Sequence, residues 1–113
     1  MATSKQRPFH IVVSRNGYCD EALEAAFAGV DGVKLEVVEA EQAPAAVRAG
    51  ANALFLSNSG YSAAVGEAVR EAPDLAWIQF LSSGTDQMTR FGGPPAGVRI
   101  TNSSDAIGSG VAH

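Results

Sequence analysis

Five short apolar runs, separated by segments that read as helix or tight loop, constrain this chain more than any other feature. Phe9-His-Ile-Val-Val13, a β-branched run after Pro8, reads as a first strand. Val33-Lys-Leu-Glu-Val-Val38 alternates apolar and polar residues, the pattern of a half-buried or edge strand. Ala53-Leu-Phe-Leu56 is apolar on both faces and reads as a central parallel strand. Trp77 to Leu81 and Val98 to Thr101 supply the fourth and fifth. Between the first two, Asp20 is placed to N-cap a helix with an apolar stripe at Leu23, Ala26 and Phe27, ended by Gly29 and Gly32. A short helix is expected from about Pro44 to Ala49. Another spans Ser62 to Ala72, with Val65, Ala68 and Val69 inward and Pro73 as its stop. A last short helix covers Gln87 to Phe91, before the Gly92-Gly-Pro-Pro95 turn.

Strands alternating with helices in this way imply a parallel sheet with helices on both faces. The prediction is a flavodoxin-like, three-layer α/β/α fold with a five-stranded parallel sheet in the order 2-1-3-4-5. Residues 9–101 form the domain, preceded by a disordered or extended stretch over 1–8 and followed by a tail over 102–113. Ligands in such sheets sit at the carboxyl ends of the strands, near the point where strand order reverses. Function is therefore expected in the loops at 14–18, 57–61, 82–86 and 102–105.

Charge and residue type exclude several chemistries. Eight basic against twelve acidic residues give a net charge of −4, with the basic ones scattered, which disfavours nucleic acid as a partner. Cys19 is the single cysteine, so no intrachain disulfide forms, and Asp20 and Glu21 beside it disfavour a reactive thiolate. The apolar runs fall well short of the roughly 18–20 residues of a spanning helix, so no membrane partner is expected and the reading is soluble and cytoplasmic. The first strand leads into Ser14-Arg-Asn-Gly-Tyr18 rather than G-x-G-x-x-G, Gly108-Ser-Gly110 is isolated, and there is no P-loop. His10 and His113 are the two histidines, and neither they nor Cys19 show metal-ligand spacing or stand beside a serine as a base. Trp77 reads as core.

Leu81-Ser-Ser-Gly-Thr-Asp86 is the most informative loop. Gly84 permits a close approach of backbone to ligand, and amides at the following helix start can hold an anion such as a carboxylate. The competing reading is that Ser82 and Asp86 merely cap that helix. Ser57-Asn-Ser-Gly-Tyr61, one strand over, either lines the same crevice or serves as the N-cap of the next helix. Arg15 is either a neutraliser of an acid or a solvated side chain.

The segment Pro73-Asp-Leu-Ala-Trp-Ile-Gln-Phe-Leu-Ser-Ser-Gly-Thr-Asp86 resembles the D-isomer-specific 2-hydroxyacid dehydrogenases, with their Pro-x-Leu-x-Trp-Ile-like strand followed by Ser-x-Gly-x-Asp. Pro95-Ala-Gly-Val-Arg-Ile-Thr-Asn102 resembles the family's p-x-G-V-x-I-T-N stretch, and Gly110-Val-Ala-His113 its V-A-E-H with the glutamate absent. The resemblance extends from about Phe9 onward. It implies the amino-terminal part of a substrate-binding domain, with 102–113 a truncated tail at the former inter-domain hinge. The family's Rossmann domain, its NAD or NADP site and its catalytic Arg, Glu and His map to no residue here, so no cofactor is expected on this chain. By position, Ser83 and Gly84, completed by Thr85 and Asp86, match the loop whose backbone amides hold the substrate carboxylate. Ser59 and Gly60 match the neighbouring crevice loop. The implied ligand is a small 2-oxo or 2-hydroxy carboxylate such as glyoxylate, hydroxypyruvate or pyruvate. The other reading is a non-catalytic module that docks, as a homodimer or on a Rossmann-domain partner, through exposed apolar faces.

Overall fold

The computed structural model describes residues 8–17, 19–82 and 84–102. Its strands are β1 (Phe9–Ser14), β2 (Val33–Val38), β3 (Ala53–Leu56), β4 (Trp77–Phe80) and β5 (Arg99–Asn102). Its helices are α1 (Asp20–Phe27), α2 (Ala43–Arg48), α3 (Ala63–Glu71) and α4 (Asp86–Phe91), with short 3₁₀ turns at Ala40–Gln42 and Asn58–Gly60. All pairings are parallel, and the order is β2-β1-β3-β4-β5. This is the flavodoxin-like arrangement expected from the alternation.

Residue parity along the strands builds two cores of unequal size. Val12, Leu54, Leu56, Ile78 and Phe80 face α2 and α3, which contribute Val47, Val65, Ala68 and Val69. Met88 and Phe91 of α4 and Ile100 of β5 pack on the same cluster. On the opposite face, Ile11, Val13, Ala53 and Phe55 meet Leu23 and Phe27 of α1. Burying a side chain such as Leu54 completely contributes about 1.5–3 kcal/mol. β3 is buried at all four positions, as a central parallel strand must be, and β2 alternates along the edge. His10 lies in β1, where its ring meets Glu36 of β2 at 3.0 Å.

Several boundaries differ from the sequence reading. Cys19, not Asp20, occupies the N-cap position of α1, and no side chain caps that helix. Asp20 is its first residue, only 5% exposed, and its carboxylate accepts N–H bonds from Asn16 and Gly17 instead. A carboxylate that turns back to the preceding loop cannot also reach the amides of its own helix. Ala26 is exposed, so the inward stripe reduces to Leu23 and Phe27. The helix ends at Phe27, before Gly29, and the left-handed φ of +81° at Gly32 turns the chain into β2. Strand β4 stops at Phe80 and β5 runs from Arg99 through Asn102, one residue into the expected tail. Residues 1–7 and 103–113, on which the expected extended start and most of the tail fall, lie outside the described residues.

Among the described residues, the exposed ion pairs Arg15–Glu39 and Arg48–Glu71 join neighbouring elements. Pairs this exposed contribute about 0–1 kcal/mol each. No described helix is long and apolar enough to cross a membrane.

Candidate functional site

Strand order reverses between β1 and β3, so the chain leaves these neighbouring strands in opposite directions and opens a fork at their carboxyl ends. Ser14 ends β1 and Ser57 follows β3. Both hydroxyls face Gly60: a Cβ built on that glycine would stand 3.6 Å from each Oγ. The Ser57 and Ser59 hydroxyls share a 3.1 Å hydrogen bond. Helix α3 is capped by Ser62, whose Oγ accepts the Val65 N–H at 3.2 Å. The Ser57–Gly60 segment is therefore released from the capping role that was its alternative reading.

The two candidate loops are joined through Asn58. Its backbone N–H donates to Ser82 Oγ at 3.0 Å, and its side-chain Oδ1 accepts the Gln87 N–H, also at 3.0 Å. Its Nδ2 faces Gly84, where an added Cβ would lie 3.5 Å away. That is an ordinary van der Waals separation, so the approach of the two loops does not itself demand glycine at 84. Ser82 does not cap α4: its oxygen accepts from Asn58, and the Gln87 amide at the helix start is bonded by Asn58 instead. Asp86 is the exposed first residue of α4.

Thr85 holds the N-cap position of α4 without a side-chain bond, while its carbonyl oxygen accepts from Met88 and Thr89. The Gln87 amide, one donor of the proposed anion cradle, is already satisfied by Asn58. Ser83 lies outside the described residues. The structure therefore brings Ser59, Gly60, Gly84 and Thr85 to one end of the sheet, with Asn58 as the link. Sequence reading missed Asn58 and Ser14. Asparagine is a common capping residue, but its partner here is 29 positions away.

Arg15 is committed to Glu39, its Nε 2.8 Å from Oε2, and so is not a free cation for the fork. Cys19 is half-buried beside Asn16. Burial raises its thiol pKa above the ordinary 9.0 and the Asp20 charge adds to this, against the Asn16 hydrogen bond, which lowers it. Among the described residues no group of three His, Cys, Asp or Glu side chains converges as a metal site.

The outer end of the sheet has a different character. Trp77 packs half-buried on the margin of the smaller core, its ring edge-on to Phe55 at 5.0 Å and its Nε1 donating to Thr101 Oγ1 at 2.8 Å. Thr101 donates in turn to Gln79. With Trp77 and Arg99, Gln79 and Thr101 line a depression of about 410 Å³. Comparison with protein-family models, curated proteins and solved structures returns no match to this chain.

Proposed function

We propose that this chain is the substrate-binding part of a D-2-hydroxyacid dehydrogenase-like enzyme, acting in the cytoplasm. On this reading its strand-tip loops hold the carboxylate of a small 2-oxo or 2-hydroxy acid on backbone amides. The observation that carries the reading is the cross-link by which Asn58 draws the Ser57–Gly60 turn and the Ser82–Asp86 loop together. Two segments singled out by their resemblance to one family, 24 residues apart at the Asn58–Ser82 bond, meet at the place where such sheets take ligands. Backbone amides and the Asn58 carboxamide suit a carboxylate, because charge-assisted bonds to an anion are stronger than neutral ones. Hydride transfer requires a nicotinamide cofactor and an acid/base pair. On this reading NAD or NADP and those groups come from outside these 113 residues.

Titration of the chain with glyoxylate, pyruvate and hydroxypyruvate, followed calorimetrically and by amide chemical shifts, tests the binding half. Saturable shifts confined to residues 57–60 and 82–87 are expected. Shifts absent or scattered over the surface at tens of millimolar ligand would defeat it. Incubation with NADH and any of these acids is expected to leave NADH absorbance at the blank rate.

A second reading, a non-catalytic docking module, is favoured by the depression on the β4–β5 face around Trp77, which no described helix covers. Sedimentation velocity separates the two: a monomer across a hundredfold concentration range argues against self-docking through that face.

A further inference from the structure

We infer that Ser14, with Ser57 beside it, forms a subsite for the C2 oxygen of the bound acid, so that the fork distinguishes 2-hydroxy and 2-oxo acids from plain carboxylates. This rests on the carboxylate-binding reading above and adds a residue that neither the loop motifs nor the resemblance singled out.

Ser14 is one of two buried polar residues in the described structure, at 2% exposure. The other, Asp20, spends its carboxylate on the Asn16 and Gly17 amides. The Ser14 hydroxyl has no hydrogen-bond partner among the described residues, yet its oxygen is not sealed from solvent. Most polar groups on residues this buried bond to protein, whereas this one is left to solvent or a ligand. A β-strand that needed only to fill space here would be served by an aliphatic residue, as at Ile11, Val12 and Val13. The hydroxyl stands at the switch point itself, on the last residue of β1, and it converges with Ser57 Oγ on the bare face of Gly60. A serine hydroxyl both donates and accepts. It therefore matches a C2 hydroxyl and a C2 carbonyl equally, which a reversible oxidation or reduction at that carbon demands. No charged group is needed for a neutral oxygen, in keeping with Arg15 being held by Glu39.

Acetate and glycolate differ only by the C2 oxygen, and glyoxylate carries it as an aldehyde in equilibrium with its hydrate. Titrating the full 113-residue chain with these three acids tests the inference. The chain is expected to bind glycolate and glyoxylate roughly three- to tenfold more tightly than acetate, the value of one added hydrogen bond. Ser14→Ala should bring glycolate down to the affinity of acetate, and Ser57→Ala should narrow the gap in part. Equal affinities in the unaltered chain, or a gap that survives Ser14→Ala, overturn the inference while carboxylate binding stands. No binding of any of the three overturns both readings. If Ser14→Ala fails to fold by circular dichroism, the comparison of the three acids on the unaltered chain and on Ser57→Ala decides the matter.

Discussion

The side-chain oxygen of Asn58 accepts the backbone N–H of Gln87 at 3.0 Å, so the α4 start is capped from a different loop rather than by its own preceding residues. Asn58→Ala should destabilise the fold by about 1 kcal/mol through loss of that cap. Asn58→Asp separates structure from binding. The aspartate still accepts from Gln87 and suits a helix N-terminus, so the melting temperature should change little. It replaces the Nδ2 donor facing Gly84 with a negative oxygen, so carboxylate affinity should fall at least tenfold. Thermal melts and calorimetric titration of both variants check this.

What the sequence made legible was whatever is set by local pattern. The apolar runs located all five strands, and the all-apolar Ala53–Leu56 against the alternating Val33–Val38 placed one centrally and the other at the edge. The candidate site was legible only as two loops. Their joint is one asparagine whose partners lie 24 and 29 residues away, and period or composition carries no trace of it. Asp20 misled because an acid at a helix start satisfies either the helix amides or the loop before it, and only the turn geometry of Asn16–Gly17 decides. Trp77 does pack on the smaller core through Phe55, but only half-buried, because it stands at the margin of that cluster beside the depression lined by Gln79, Arg99 and Thr101.

Close contact between α3 and α4 depends on Gly66. A Cβ there would lie 2.9 Å from the Phe91 carbonyl oxygen, which belongs to backbone and cannot rotate away. Gly66→Ala should therefore cost about 1–3 kcal/mol, as the helices part to admit one methyl group. Gly29→Ala is the matched control, since nothing lies within 4 Å of the added atom and its φ is ordinary. That variant should be neutral or stabilising by up to about 1 kcal/mol. Urea denaturation of the pair gives the difference directly.

Asp20 holds the β1–α1 loop through Asn16 and Gly17, the latter at 2.8 Å. Asp20→Ala leaves those two amides without their acceptor in a part-buried site and should cost about 1–3 kcal/mol. Asp20→Asn keeps one oxygen and should recover part of the loss. Hydrogen exchange at Asn16 and Gly17 should accelerate in the alanine variant while exchange in the buried β3 strand falls only with global stability.

Alkaline pH should weaken the fold through Tyr61. Its ring is fully buried against Phe80, and its hydroxyl donates to the Gly92 carbonyl oxygen at 2.7 Å. Burial raises its pKa above the ordinary 10.0, although the Arg70 charge opposes this. Between pH 10 and the raised value the native chain keeps a proton that the unfolded chain has lost, so stability declines as pH rises. Cys19, raised from 9.0, adds a decline that begins lower. Tyr61→Phe should lose about 1 kcal/mol at pH 7 with the hydrogen bond, since the ring packing is kept. Above pH 10 its stability should fall less steeply than that of the unaltered chain. Cys19→Ser should instead remove the part of the decline that starts near pH 9. Chemical denaturation at half-unit intervals from pH 8 to about 11 resolves the two, and a Tyr61→Phe curve parallel to the unaltered one would show that Tyr61 ionises alike in the folded and unfolded chain.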